Sequence, residues 1–221
     1  MKAFSSVSNV FNDHLTVTLR LPSIAKAALV LTPRQVETTH VSVNSLRECP
    51  YCTLLHGELA RMSGVPDVAG LMANKCEVKN GMTNEEVAIR AYAQSFGKDP
   101  AAAASNDMEA LGKVLGSEAK AKSVDSLCWF LHWGSMSGNT INSLFGGETK
   151  SSLNILAKLI FVIYYTPLFL LIVIFGYALK IMPTSGPKFI NAILGVALAF
   201  IAGTFILPLG ILGIPLRLLG L

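Results

Sequence analysis

The chain has 221 residues, is 52% hydrophobic and carries a formal charge of +4. Its fourteen acidic residues all lie between Asp13 and Glu148, and of the eighteen bases only Lys158, Lys180, Lys188 and Arg217 fall after residue 150, so residues 1–150 are formally neutral and the tail holds the whole positive balance. Those four bases sit among long apolar runs, which is the pattern of membrane-flanking charge and excludes a nucleic-acid patch, and four cysteines are too few to staple a chain of this size as a disulfide scaffold.

In chain order, the opening "MKAFSSVSNVFNDHLTVTLRLP" lacks the unbroken apolar run of a secretory leader. Its serines and few bases leave an organelle transit segment open, and residues 1–30 are expected to be poorly ordered. Strand-like alternation occurs in "HLTVTLRL" (His14–Leu21) and in "HVSVNSL" (His40–Leu46), the second of which reads equally as a helix. The remainder of residues 31–150 is expected to be an all-α domain. "MTNEEVAIRAYAQSFG" sets Thr83 three residues before Glu86, the spacing of a capping box, ahead of Val87, Ala91 and Phe96 on one helical face. "SVDSLCWFLHWGSMSGNTINSLFG" carries Val124, Leu127, Phe130 and Leu131 in helical register and then a run of small residues.

The chemistry concentrates in "RECPYCTLLHGELARMSG", Arg47–Gly64. Proline is tolerated in the first turn of a helix and breaks its interior, so Pro50 predicts a helix that starts at Cys49 and ends near Gly64. At about 100° per residue, Cys49, Cys52 and His56 then fall within roughly 60° of one another on one face. The helix N-terminus and a neighbouring imidazole both favour thiolate, the reactive form of cysteine. The dipole alone favours Cys49, whereas adjacency to His56 favours Cys52. The imidazole also needs an orienting acid. Glu58 lies on the opposite face and Glu48 about a quarter turn away, which leaves Glu37, folded back from the preceding segment.

Glu37, eleven residues, Cys49-Pro50-Tyr51-Cys52, three residues and His56, with Gly64 beyond, resembles the pattern of the alkylhydroperoxidase D (AhpD)-like branch of the carboxymuconolactone decarboxylase superfamily. The resemblance covers roughly residues 31–145. It implies an all-α domain that oligomerises through its helices and works as a peroxidase or disulfide reductase. It further implies that Cys52 attacks the peroxide, Cys49 resolves, and His56 and Glu37 relay protons with the help of a water. Tyr51 stands where some members carry a histidine. A hydroperoxide or disulfide substrate and a thiol reductant are implied as partners, with no bound cofactor and no metal.

Three other readings stand beside this one. Cys49, Cys52 and His56 could share a zinc ion, although zinc needs four ligands and His40, Cys76, Cys128 and His132 are single and scattered in sequence. The two cysteines could form a structural disulfide. The domain could also be a non-catalytic interaction module tethered to a membrane. Cys76 reads as incidental, Cys128 as a small buried hydrophobe, and His132 and Trp133 as core.

The tail, residues 151–221, reads as a membrane anchor. Leu159–Leu179 is uncharged and long enough to span a bilayer, with Pro167 expected to kink it. "KIMPTSGPK" reads as a turn, and Phe189–Leu216 as a second span that tilts or breaks near Pro208. The result is a helical hairpin with both chain ends on one side and no charge inside either span, which argues against a transport path. Lysines and arginines do not distinguish the two sides. The redox domain is expected to face a reducing compartment, because its dithiol must be recycled.

Overall fold

A computed structural model describes residues 3–73, 81–103, 106–146, 151–182 and 188–218. All regular structure among them is helical: α1 (Val7–Val30), α2 (Pro33–Arg47), α3 (Pro50–Met62), α4 (Val68–Met72), α5 (Asn84–Lys98), α6 (Pro100–Ala103), α7 (Asn106–Leu115), α8 (Glu118–Asn142), α9 (Ile155–Lys180) and α10 (Lys188–Leu218). Cys76 and the middle of the expected turn, residues 183–187, lie outside the described residues.

The expected disorder of residues 1–30 and the strand-like reading of His14–Leu21 give way to one helix, α1. Ser6 caps it by accepting from the Asn9 amide. The buried positions Val10, His14, Val17, Ile24 and Ala27 are spaced by threes, fours and sevens. This longer helical stripe outweighs a two-residue alternation that lasts only eight positions. Along it α1 packs against α8 and α10.

His40–Leu46 is also helical, as part of α2. Thr32 and Gln35 form a capping box at its start, and Pro33 occupies the first turn. This helix shows no clean apolar stripe because it is buried nearly all round, from Gln35 through Asn44 to Arg47. Two of its buried hydroxyls bond back into the helix: Thr39 donates to the Gln35 carbonyl at 2.9 Å and Ser42 to the Thr38 carbonyl at 2.6 Å.

The capping box predicted at Thr83 and Glu86 is present and starts α5, which packs on α2. A 25-residue α8 follows, and its buried face includes Leu127, Cys128, Leu131, His132, Trp133, Ser135 and Gly138.

In the tail, α9 is the one helix among the described residues long and apolar enough to cross a membrane, with a mean hydropathy of 2.5. Only 28% of its most apolar window is buried, far less than a core helix of a soluble protein shows. Pro167 sits inside the helix without ending it. For the second expected span, residues 189–216, the apolar stretch found is the shorter Phe200–Pro215 within α10, so two spans are not established. Nor is the tail a detached anchor. One face of α9 packs along α3 and α8, and α10 packs along α1.

Candidate functional site

The site is built at the corner between α2 and α3. Glu48 takes the left-handed conformation (φ 54°) and turns the chain. The Asn44 side chain braces the corner: Oδ1 accepts from the Cys49 amide at 3.2 Å, and Nδ2 donates to Thr53 Oγ1 at 2.8 Å. α3 begins at Pro50, and Cys49 is its N-cap, with Sγ accepting from the Cys52 amide at 3.3 Å. Both thiols are free and buried.

Glu37 does fold back from the preceding helix. His56 Nδ1 donates to Glu37 Oε2 at 3.0 Å, and both side chains are nearly buried, 12% and 9% exposed. Burial alone would raise the Glu37 carboxyl, but the facing imidazoles of His56 and His40 hold it down at about 2. Burial alone would lower His56, and Glu37 together with the Cys52 sulfur outweighs this and raises it. Burial likewise pushes the Cys52 thiol up. The Cys49 side chain, the charge on His56 and the Ser135 hydroxyl, 3.6 Å away, reverse that and hold it below the ordinary thiol range. Cys49 goes the other way: it is fully buried, and its sulfur stays well above the ordinary range.

The cap geometry and the local charge therefore act on different sulfurs. At Cys49 burial, reinforced by the neighbouring Cys52 sulfur, outweighs the backbone N–H groups of Cys52 and Tyr51, whereas at Cys52 the hydrogen bond with the Cys49 side chain, then the charge on His56 and the Ser135 hydroxyl, outweigh burial. His56 reaches Cys52 by its charge; its direct hydrogen bond among the described residues goes to Glu37.

Three contributors escaped the sequence reading. His40, one turn beyond Glu37 on α2, stacks on His56 with ring centroids 4.2 Å apart. Its Nδ1 lies 3.6 Å from Glu37 Oε2, too long for a hydrogen bond, and neither ring nitrogen has a hydrogen-bond partner among the described residues. Burial and the charge on His56 lower its pKa, with Glu37 opposing them. The other two are Ser135 and Gly138 on α8. A Cβ at Gly138 would lie 2.7 Å from Cys49 Sγ and 3.1 Å from the Tyr51 ring, so only glycine lets α8 approach the cysteine pair this closely. The run of small residues after Trp133 was the available signal for both.

For a metal, the residues that come together are Glu37, His40 and His56, with one ligand atom each within 4.8 Å of the others. This differs from the set of Cys49, Cys52 and His56 suggested by spacing. Two imidazoles and a carboxylate suit a divalent transition metal. Cys128 is buried on α8, as expected for a small hydrophobe. His132 Nε2 is paired with Asp13 Oδ2 at 3.2 Å, and Trp133 Nε1 donates to His14 Nε2 at 2.9 Å, so both act in packing.

The outer wall of the site comes from the tail. Tyr51 packs edge-on against Phe169 at 4.9 Å between centroids. Gly176 admits Leu54, whose Cγ would lie 2.5 Å from a Cβ there. Arg61, at the far end of α3, donates to the carbonyls of Leu179 and Met182 at 3.0 and 3.1 Å. Catalytic-type residues and apolar tail are thus joined along the length of α3. Comparison with protein families, curated proteins and solved structures gives no match to this chain, so the AhpD-like resemblance rests on the spacing of Glu37, Cys49, Cys52 and His56 alone.

Proposed function

We propose that the protein is a membrane-associated dithiol peroxidase of the AhpD type. The observation that carries this reading is the buried Glu37–His56 pair set one turn from Cys52, the thiol that its environment holds below the ordinary range. Thiolate is the attacking species on peroxides, and a paired second thiol converts the product into a disulfide.

In the cycle, Cys52 thiolate attacks one peroxide oxygen and the O–O bond breaks. The departing alkoxide takes a proton from the His56 imidazolium through a water and leaves as an alcohol. Cys52 is now a sulfenic acid. Cys49 thiol attacks its sulfur, the S–O bond breaks and water departs, leaving the Cys49–Cys52 disulfide. Glu37 keeps the imidazole oriented throughout, and two external thiols return the pair to the dithiol state by exchange, leaving as a disulfide and restoring the proton to His56. The length and apolar outer face of α9 support a domain seated at a membrane through its tail.

Counting free thiols in the full chain, purified in detergent, tests this. Peroxide should remove two thiols per chain in the native sequence and none of that pair in Cys52→Ser. Retention of both thiols at moderate peroxide would favour the tethered interaction module instead.

A further inference from the structure

A cavity of about 560 Å³ opens onto the thiol site, within the size range of small-molecule pockets. Apart from Glu37, His40, Cys52 and His56, its lining is almost wholly apolar. Ile24 comes from α1, Leu131 from α8, Leu168 and Ile172 from α9, and Gly203 from α10. The nucleophile and its relay are therefore the polar feature of an otherwise greasy chamber.

The way in is marked by two residues of α10. Phe200 and Leu207 both line the cavity, yet are 75% and 41% exposed on the outer surface. That outer surface is itself apolar: Ile160, Ile163 and Ile174 of α9 and Ile211 of α10 are all exposed. A substrate entering between these helices would leave hydrocarbon, not water, and a membrane-seated α9 places that mouth toward lipid.

We propose that the cavity takes the acyl chain of a lipid hydroperoxide arriving from the bilayer and presents its peroxide group to Cys52. This rests on the peroxidase reading and names its substrate class. The chemistry balances as one lipid hydroperoxide and two thiols giving one hydroxy lipid, one disulfide and one water, with the terminal peroxide oxygen passing to Cys52 sulfur and the second oxygen staying on the chain as the alcohol. The apolar walls hold the chain by excluding water from it, which hydrogen peroxide cannot exploit.

Two glycines allow a clean test. Gly134 on α8 and Gly203 on α10 line the cavity, and a Cβ built at either meets no atom within 4 Å. A leucine there enters open space instead of the core, at positions where glycine is the poorer helix former. Cys52 oxidation is to be timed in the full chain in nanodiscs, with linoleoyl hydroperoxide and with hydrogen peroxide. The native protein should react about tenfold or more faster with the lipid, and Gly203→Leu should remove about tenfold of that rate while leaving the hydrogen peroxide rate within about twofold. Gly134→Leu repeats the test from the opposite wall. Equal rates with both peroxides, or a variant losing as much of its hydrogen peroxide rate as of its lipid rate, would overturn the lipid assignment and leave the peroxidase reading standing. Thiols inert to both peroxides would overturn the two together.

Discussion

The two sides of the site are held in opposite ways. On the α2–α3 side, buried polar groups meet each other: Glu37 with His56, Asn44 with the Cys49 amide, Thr39 and Ser42 with their own helix. On the tail side, α9 contributes Leu168, Phe169 and Leu179 to the core and turns Ile160, Ile163 and Ile174 outward. Polar clusters fix geometry because a mispaired buried group is expensive, whereas apolar faces slide with little penalty. The thiols and the Glu37–His56 pair therefore lie where positions are over-determined, and the apolar wall of the cavity lies where some adjustment is tolerated. The two sides meet at one polar node. His14 Nδ1 donates to the Val10 carbonyl, and its other nitrogen accepts from Trp133 at 2.9 Å and from the Tyr165 hydroxyl, tying α1, α8 and α9 together.

The largest expected effect breaks the polar side. Glu37→Gln should lower peroxide turnover by roughly 10²–10⁴, the usual share of general acid–base catalysis, and reduce stability by about 3–5 kcal/mol because a buried charge loses its partner. Stopped-flow thiol oxidation and urea melts check the two parts. Survival of activity would show that the imidazole needs no orienting acid.

Next comes the node. His14 is lowered from 6.5 to about 4 by burial, with the Val10 carbonyl and Asp13 only partly opposing this. A histidine depressed in the folded state is protonated more readily when unfolded, so its contribution is complete above pH 6.5 and shrinks as the pH falls toward 4. The full loss is roughly 3 kcal/mol. His40, also lowered by burial, acts with the same sign below pH 6.5. Denaturation midpoints should fall between pH 6.5 and 4, and His14→Gln should flatten part of that slope. A slope unchanged by His14→Gln would mean that the node does not join the two sides.

A smaller effect tests the packing of α8 on the thiols. Gly138→Ala places a methyl 2.7 Å from Cys49 Sγ, and overpacking of this kind costs about 1–3 kcal/mol. Because it displaces Cys49 and not Cys52, sulfenic acid should accumulate while the attack rate holds, as a dimedone trap would show. The smallest effect is at the wall: Gly176→Ala presses on Leu54 across the α3–α9 contact and should shift stability by about 1 kcal/mol or less, since α9 can move outward.

What was legible in the sequence was local. Pro50 announces the start of α3, Thr83 and Glu86 cap α5, and spacings of three and four put Cys49, Cys52 and His56 on one face. Glu37 was reachable because its partner lies only nineteen residues away, across one corner. Ser135 and Gly138 approach the cysteines from more than eighty residues away, and no spacing rule spans such a distance. His40 was passed over as a solitary histidine because its significance lies in the ring it stacks on. The tail was legible as apolar, but composition does not tell a helix that is exposed all round from one that, like α9, packs one face on α3 and α8 and lines a cavity there.

The cap at the start of α3 has a further consequence. Cys49 sulfur receives the Cys52 amide hydrogen, and the environment of Cys52 favours its thiolate. Both interactions belong to the reduced pair, because a sulfur committed to a neighbouring sulfur accepts poorly and carries no charge. Stabilising the reduced partner raises the midpoint potential of a couple, and about 30 mV corresponds to 1.4 kcal/mol for two electrons. The Cys49–Cys52 couple should therefore titrate as an electron-hungry one, readily refilled by an ordinary small thiol, and a redox titration against glutathione would read that number directly.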